Sequence, residues 1–236
     1  MAQATQTSTS SHLPENYYNS SRADILELVP LEASTILELG CATGNLGAAI
    51  QTRQNARVTG VEYVEAVAIE ARVKLAEVIC ADLDSFEFPW ELNQFHCIIA
   101  ADVLEHLKDP WAVLRNCNEV LRPGGTLIVS IPNMCHISIF EQLSLFRFDY
   151  ADAGLLDRTH LRFFTHNTFR EALSLTGYSR IQATPIFLQY PENLLREIST
   201  TGQLKVGAVN LDFTQPGAVN EFLTYQWLFT ATKDAS

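Results

Sequence analysis

The chain has 236 residues, of which 47% are hydrophobic and 18% charged, so it can bury a core and is neither collagen-like nor wholly disordered. At roughly 150 residues per domain, the length allows one large domain or two small ones. Aspartate and glutamate number 27 against 16 lysines and arginines, and the resulting formal net charge of −11 disfavours binding to nucleic-acid phosphate.

Residues 1–14 are rich in Ser, Thr and Gln, lack periodicity and are expected to form a flexible tail before a single domain at 15–236. The segments predicted as strands are 35–39, 58–62, 77–80, 95–100, 126–131, 178–187 and 222–231. Helices are predicted after the first strand to about Gln54 and over 64–75, 108–121 and 167–176. Because strands separated by helices need crossover connections, we predict a doubly wound, mostly parallel seven-stranded α/β sheet with helices on both faces.

After Pro132 this alternation stops. Residues 134–165 are irregular and rich in Phe, Leu and His, and we expect an insertion that forms a lid or acceptor site over the carboxyl edge of the sheet. Within it, apolar positions fit one helix face, at 136, 139, 140, 143 and 146. We predict that this face packs against the core or the lid; contact with a lipid-linked substrate is the alternative.

The clearest local signal is the passage from an apolar strand through a glycine-bearing turn into a helix at 36–47. In open α/β sheets, ligands bind at the carboxyl ends of strands, where a glycine turn lets them approach the backbone. A dinucleotide fingerprint needs G-x-G-x-x-G, whereas glycines lie here at 40, 44 and 47, with Ala42 in the middle position. This spacing disfavours NAD and FAD. The acidic Glu38 also suits an ammonium group better than a pyrophosphate, which further disfavours a nicotinamide-dependent oxidoreductase.

Acidic residues accompany the first three predicted strands in turn. Glu38 could contact the ammonium of an amino-acid-containing cofactor, and Glu62 could accept hydrogen bonds from two ribose hydroxyls. Asp82 could accept from an adenine amino group. A solvated loop acid is the ordinary interpretation of each residue alone, but together the three outline an adenosine and a cationic amino acid.

On these motifs, the sequence resembles the class I S-adenosylmethionine-dependent methyltransferases. Residues 38–44 resemble the first family motif, and Glu62, Asp82-Leu83, 100–107 and 121–125 match later motifs in order. The resemblance implies a Rossmann-like methyltransferase fold with S-adenosylmethionine as the cofactor. The cofactor-binding residues that it implies are Glu38, Gly40, Cys41, Ala42, Gly44, Glu62, Tyr63, Asp82, Leu83, Ala100 and Ala101. Ala42 departs from the family pattern, in which glycine is commoner, and this bears on how closely the backbone meets the cofactor.

More narrowly, the segments 130–133, 154–165 and 224–226 resemble bacterial methyltransferases found beside or fused to glycosyltransferases. This resemblance implies transfer of a methyl group to a hydroxyl or amine of a small metabolite or sugar. The alternatives are a quinone- or lipid-type O-methyltransferase and a methyltransferase-like module that binds without turnover. The oligomeric state is left open.

Methyl transfer needs a base when the acceptor is a hydroxyl or a protonated amine. The histidines expected over the carboxyl edge are His106, His136 and His160, of which we name His106 and His160 as candidate catalytic residues.

The segment 102–106 has three interpretations. Asp102 and Glu105 could cap a helix reciprocally, or His106 could act as the acid or base. Alternatively, the i, i+3, i+4 spacing of Asp102, Glu105 and His106 resembles the divalent-metal site of ubiquinone-pathway O-methyltransferases, although a metal is not favoured.

His160 lies between Arg158 and Arg162, whose positive charge suggests an anionic acceptor such as a sugar nucleotide. A hydrogen-bonded structural histidine is the alternative for His160.

Five cysteines are spread singly with no C-x-x-C pair, which disfavours a disulfide framework or a zinc knuckle. The sequence shows neither the basic and apolar segments of a signal peptide nor an apolar run of about 18 residues. We therefore expect a cytoplasmic protein without stable membrane insertion.

Overall fold

The computed structural model describes residues 22–234, and the tail predicted at 1–14 lies outside the described residues. The strands are β1 Thr35–Leu39, β2 Arg57–Glu62, β3 Glu77–Cys80, β4 Phe95–Ala101, β5 Leu121–Pro132, β6 Tyr178–Phe187, β7 Gln203–Val206, β8 Val209–Asp212 and β9 Thr224–Lys233. The helices are α1 Ala23–Leu28, α2 Asn45–Gln54, α3 Glu65–Ala71, α4 Pro110–Val120, α5 Ile137–Ser144, α6 His166–Leu175, α7 Glu192–Thr201 and α8 Ala218–Leu223. No helix in the described part of the chain has the length and apolar character needed to cross a membrane.

Seven strands form one sheet in the order β3-β2-β1-β4-β5-β9-β6, which confirms the predicted doubly wound, mostly parallel architecture. The strands from β3 to β5 are parallel, whereas β9 runs antiparallel to both of its neighbours, β5 and β6. The last strand begins two residues later than expected, because α8 occupies the residues up to Leu223. Because β1, β2, β3 and β4 are parallel to one another, their carboxyl ends lie along one edge of the sheet.

Two apolar cores lie on opposite faces of this sheet. Side chains alternate between the faces of a strand, so Ile36 joins one core and the next residue, Leu37, joins the other. Helices α1, α2 and α3 cover the face of Ile36, and α4 and α6 cover the face of Leu37. Complete burial of a leucine or isoleucine side chain contributes about 1.5–3 kcal/mol, so both layers stabilise the edge that carries the site.

Helix α4 begins as predicted, because Asp109 accepts a hydrogen bond from the Ala112 N–H at 3.0 Å and Pro110 is the first helical residue. The helix predicted at 64–75 ends early, at Ala71. The chain turns there, and Leu75 packs into the core above Gly47, where a Cβ would lie 2.6 Å from Leu75 Cδ2. Tertiary packing of Leu75 thus shortens the helix.

The predicted insertion contains α5, whose amino end is capped by His136 through Nδ1, which accepts from the Ser138 N–H. The prediction of one buried apolar face is wrong at its carboxyl end. Ile139 is buried, but Leu143 is 51% exposed and Phe146 is fully exposed. The reason is that α5 ends at Ser144, and Phe146 adopts a φ of +57°, off the helical path.

A second insertion, at 188–223, was not predicted from the sequence. It holds α7, the β7–β8 hairpin and α8 around a small core of its own. This core also takes Ile137 and Phe140 from α5, so the two insertions pack on each other beside the main sheet.

Candidate functional site

A cavity of about 750 Å³ opens at the carboxyl ends of the parallel strands. This volume lies in the range of ~300–1,000 Å³ that is typical of ligand sites. The predicted cofactor residues that line it are Glu38, Gly40, Cys41, Ala42, Glu62, Tyr63, Asp82, Leu83 and Ala101. Gly44 and Ala100 do not line it: Gly44 is the N-cap of α2, and Ala100 is buried within β4.

The turn after β1 is held in a left-handed backbone conformation. Gly40 has a φ of +65°, and a Cβ added there would lie 2.4 Å from Val103 Cγ2, so a side chain would collide. Ala42 has a φ of +46°, which costs a non-glycine residue about 1–2 kcal/mol. The Ala42 N–H donates to Glu62 Oε2 at 3.0 Å, so a carboxylate from β2 secures the turn.

Glu38 is a buried carboxyl with an unused hydrogen-bonding atom. Its Oε2 has no partner among the described residues. Burial, with a smaller contribution from nearby Glu62, raises the pKa of Glu38 from 4.5 to about 8, although a hydrogen bond from the Gly47 backbone opposes the rise. An ammonium group at Glu38 would supply the missing partner and stabilise the charged carboxylate. The site therefore fits the amino-acid end of S-adenosylmethionine.

The other two predicted acids differ in exposure. Glu62 is buried, and its Oε1 accepts from the Val64 N–H at 2.9 Å while its Oε2 is engaged by Ala42. Asp82 is exposed and accepts from the Asp84 N–H at 3.0 Å. A carboxylate has about four acceptor positions, so both residues can accept further hydrogen bonds from hydroxyl or amino groups.

Asp102 follows β4 and forms part of the wall between the large cavity and a smaller one of about 150 Å³. Its Oδ1 accepts from Ser130 Oγ at 2.9 Å and from Gln226 Nε2, and its Oδ2 accepts from Arg22 Nη1. The alternative that Asp102 and Glu105 cap a helix reciprocally is wrong, because only a short 3-10 turn, Leu104–His106, follows and Asp102 is engaged elsewhere.

His106 and His160, the candidate catalytic pair, are brought together with their ring centroids 4.7 Å apart. His106 lines the large cavity and His160 the small one. Burial lowers the pKa of both rings. His160 Nδ1 donates to the Leu155 carbonyl at 3.1 Å, so its Nε2 is the acceptor nitrogen of the neutral ring.

His136, the third histidine considered, has a structural environment. Its Nε2 lies 2.6 Å from the Tyr190 hydroxyl, which donates to the Leu223 carbonyl. Burial lowers the pKa of His136 to about 4. It lines neither of the two cavities and joins α5 to the second insertion.

Ligand atoms of Glu105, His106 and His160 lie within 4.8 Å of one another, close enough to share a metal ion. Asp102 is not a member of this cluster, so the structure does not bring Asp102, Glu105 and His106 together as one set of metal ligands. Glu105 is fully buried, and its pKa is raised well above its ordinary value by burial, with a smaller contribution from the charge of Asp102.

The two arginines that suggested an anionic acceptor lie outside both cavities. Arg158 pairs with Asp152 at 2.6 Å, and both side chains are largely exposed. Arg162 donates to the Lys108 carbonyl.

Sequence reasoning did not single out Arg22, Thr159 or Gln226 as members of the large cavity. Gln226 lies on β9, 124 residues from its hydrogen-bond partner Asp102. Thr159 belongs to the 154–165 motif, and that motif was the one available signal for it. No local sequence pattern identifies Arg22 as a residue of the cavity.

Comparison with known proteins agrees with this geometry. The sequence model of the methyltransferase domain family matches residues 15–183. A ubiquinone biosynthesis O-methyltransferase from Pseudomonas paraeruginosa is 33% identical over 115 residues, or 45% of this chain and 48% of that protein. The chain spans about half the length of the curated relatives it matches.

Solved structures share the fold. A Thermotoga maritima methyltransferase, described as a possible histamine N-methyltransferase, has a TM-score of 0.62 and 18% identity, covering 92% of this chain and 89% of its own. Phosphoethanolamine N-methyltransferase 2 from Haemonchus contortus, solved with S-adenosylmethionine, has a TM-score of 0.61 and 19% identity, covering 91% of this chain and 52% of its own. The family match and the sheet order together show that the chain belongs to the class I S-adenosylmethionine-dependent methyltransferase family.

Proposed function

We propose that the protein moves a methyl group from S-adenosylmethionine to a hydroxyl or amine of a small metabolite or sugar. The observation that carries this proposal is the buried Glu38 carboxyl, whose Oε2 has no partner among the described residues, in a cavity that Glu62 and Asp82 also line. Bound S-adenosylmethionine supplies a methyl group on a positively charged sulfur. The protein holds the reactants in line, which is worth up to ~7–11 kcal/mol in favourable intramolecular cases.

Each residue predicted to bind the cofactor has a proposed role. Glu38 binds the ammonium, Glu62 the ribose hydroxyls and Asp82 the adenine amino group. Backbone and apolar contacts come from Gly40, Cys41, Ala42, Tyr63, Leu83 and Ala101. Gly44 and Ala100 act through the shape of the turn and of the strand. His106 accepts the proton of the acceptor, and His160 lies beside it.

The acceptor reaches His106 from the small cavity, which shares Asp102 and Gln226 with the large one. Asp102, Glu105 and Asp157 line this second space, so its chemistry favours an uncharged hydroxyl or a cationic amine over an anion. An anionic or sugar-nucleotide acceptor would have to place its phosphate outside, near Arg158 and Arg162. The likeness to ubiquinone biosynthesis O-methyltransferases favours a phenolic, quinone-type acceptor as the second candidate.

The compartment proposed is the cytoplasm, since Cys41, Cys80, Cys97, Cys117 and Cys135 are all unpaired thiols.

Calorimetry with S-adenosylmethionine, S-adenosylhomocysteine and NAD tests the cofactor. We expect binding of the first two, weakened about tenfold to a hundredfold by Glu38→Gln, because a hydrogen bond to a charged group contributes about 1.5–3 kcal/mol. Glu171→Gln, on the exposed side of α6, is the matched control. Binding of NAD alone would overturn the proposal.

Turnover is tested by transfer of a labelled methyl group to sugars, phenols and amines, with and without phosphate. Cofactor binding without formation of S-adenosylhomocysteine across these acceptors would instead favour the non-catalytic module. Because Glu105, His106 and His160 could also accept a divalent ion, the assay is repeated after dialysis against EDTA. We expect turnover to be unchanged by this dialysis. Turnover that is lost on dialysis and restored by added metal would indicate that a metal site, and not a histidine base, activates the acceptor.

A further inference from the structure

The His106 ring belongs to a hydrogen-bonded chain that ends on a buried carboxylate. His106 Nδ1 lies 3.0 Å from Thr159 Oγ1, and Thr159 Oγ1 lies 2.6 Å from Asp157 Oδ1. The Thr159 N–H also donates to Asp157 Oδ1, at 2.8 Å. Asp157 is only 2% exposed, whereas His106 is partly buried and Thr159 is exposed, so the carboxylate end of the chain is the buried one.

The positions of the protons follow from what each group can donate. A carboxylate only accepts, and the short Thr159–Asp157 contact takes the single hydroxyl proton of the threonine. Toward His106, Thr159 Oγ1 is therefore an acceptor, and Nδ1 must carry the proton. A neutral imidazole has one N–H, so Nε2 holds the lone pair. The side chain of Thr159 meets the ring at Nδ1, and the Thr159 main chain adds a second hydrogen bond to the same ring.

Main-chain hydrogen bonds hold the segment that carries Thr159 next to His106. The N–H groups of Leu161 and Arg162 both donate to the Glu105 carbonyl, at 2.8 and 2.9 Å. These two bonds fasten the segment that carries Thr159 against the 3-10 turn that carries His106. The Thr159–His106 contact is therefore set by main-chain bonds that a change of the Thr159 side chain leaves in place.

We propose that Thr159 and Asp157 are positioning residues that fix His106 as the Nδ1–H tautomer and leave its Nε2 lone pair free for the acceptor. The proposal rests on the proposed function, in which His106 is the base. The step contains one proton transfer: the O–H bond of the acceptor breaks, an Nε2–H bond forms, and the oxygen electron pair bonds to the transferred methyl carbon. The bond between that carbon and sulfur breaks, and its electron pair stays on sulfur. The imidazolium keeps its Nδ1–H, which donates to Thr159 Oγ1, and the Thr159 hydroxyl donates to Asp157, so the carboxylate stabilises the positive charge without a second proton transfer.

The proposal is tested on the full chain labelled with ¹⁵N-histidine, by recording the ring-nitrogen shifts and couplings in NMR. His106 is assigned as the signal lost in His106→Asn. We expect the Nδ1–H tautomer in the unmodified protein and in Thr159→Ser, which keeps the hydroxyl. Thr159→Val keeps the shape but loses the acceptor, and we expect its His106 to shift toward Nε2–H. His136 is an internal reference, since its hydrogen bonds require the opposite, Nε2–H form.

Activity measurements distinguish a positioning role of Thr159 from a purely structural one. We expect Thr159→Val to lower kcat at least about tenfold and to change the KM for S-adenosylmethionine far less, because a general base contributes about 10²–10⁴-fold. Thr159→Ser should restore most of the loss. An Nε2–H His106 in the unmodified protein, an unshifted tautomer in Thr159→Val, or full activity with a shifted tautomer would each overturn the proposal. The NMR result stands without turnover, so it is distinguishable from failure of the proposed function, which calorimetry would show as absent cofactor binding.

Discussion

Glu38→Gln should change how the stability of the protein depends on pH. In the folded state the pKa of Glu38 is about 8 because the carboxyl is buried, against an ordinary value of 4.5. The folded protein therefore keeps a proton that the unfolded chain releases. The stabilisation from this proton is fully present below pH 4.5, falls as pH rises toward 8, and is lost above that value.

The size of the effect follows from proton linkage. Each pH unit inside this window lowers the free energy of unfolding by about 1.4 kcal/mol, or about 3 kcal/mol between pH 5 and pH 7. Glutamine has nearly the same shape and cannot titrate, so Glu38→Gln removes this slope. Relative to the unmodified protein, the variant should gain about 3 kcal/mol over the same range.

Urea unfolding at several pH values between 5 and 8 measures this difference, with the exposed Glu171→Gln as the control whose curve should run parallel to that of the unmodified protein. Saturating S-adenosylmethionine should flatten the slope of the unmodified protein, because its ammonium would lower the pKa of Glu38. Parallel pH profiles for Glu38→Gln and the unmodified protein would refute the reasoning, since they would show that Glu38 ionises normally in the folded state.

Two further predictions concern the turn after β1. Gly40→Ala should lower the free energy of unfolding by about 2–5 kcal/mol, because it adds left-handed strain to a collision with Val103. A Val103→Ala partner change should recover only the steric part in a double-mutant cycle, and strict additivity in urea unfolding would contradict the assigned contact. Ala42→Gly should raise the free energy of unfolding by up to about 1.5 kcal/mol, since relief of ~1–2 kcal/mol of backbone strain outweighs the ~0.5–1 kcal/mol cost of glycine in the unfolded chain. A fall in melting temperature would contradict this.

Local sequence patterns alone were enough to predict the main architecture. Seven apolar segments alternating with helices predicted the seven strands of the sheet, and the acids that accompany the first three meet at one cavity. The physical reason is that parallel strands place their carboxyl ends on the same edge, so residues at equivalent positions in successive strands become neighbours. Asp109 and Pro110 likewise marked a helix start, because a cap depends on residues only three apart.

What the sequence could not determine depends on contacts between distant segments. Gln226 reaches Asp102 only because β9 inserts between β5 and β6, and Thr159 reaches His106 only because the first insertion folds back onto the 3-10 turn. The exposed end of α5 and the whole 188–223 insertion also depend on packing between elements, which periodicity does not record. The sequence by itself thus determined the sheet and the acids proposed to bind the cofactor, whereas the environment of the proposed base was decided by tertiary structure, because its hydrogen-bond partners lie more than fifty residues away along the chain.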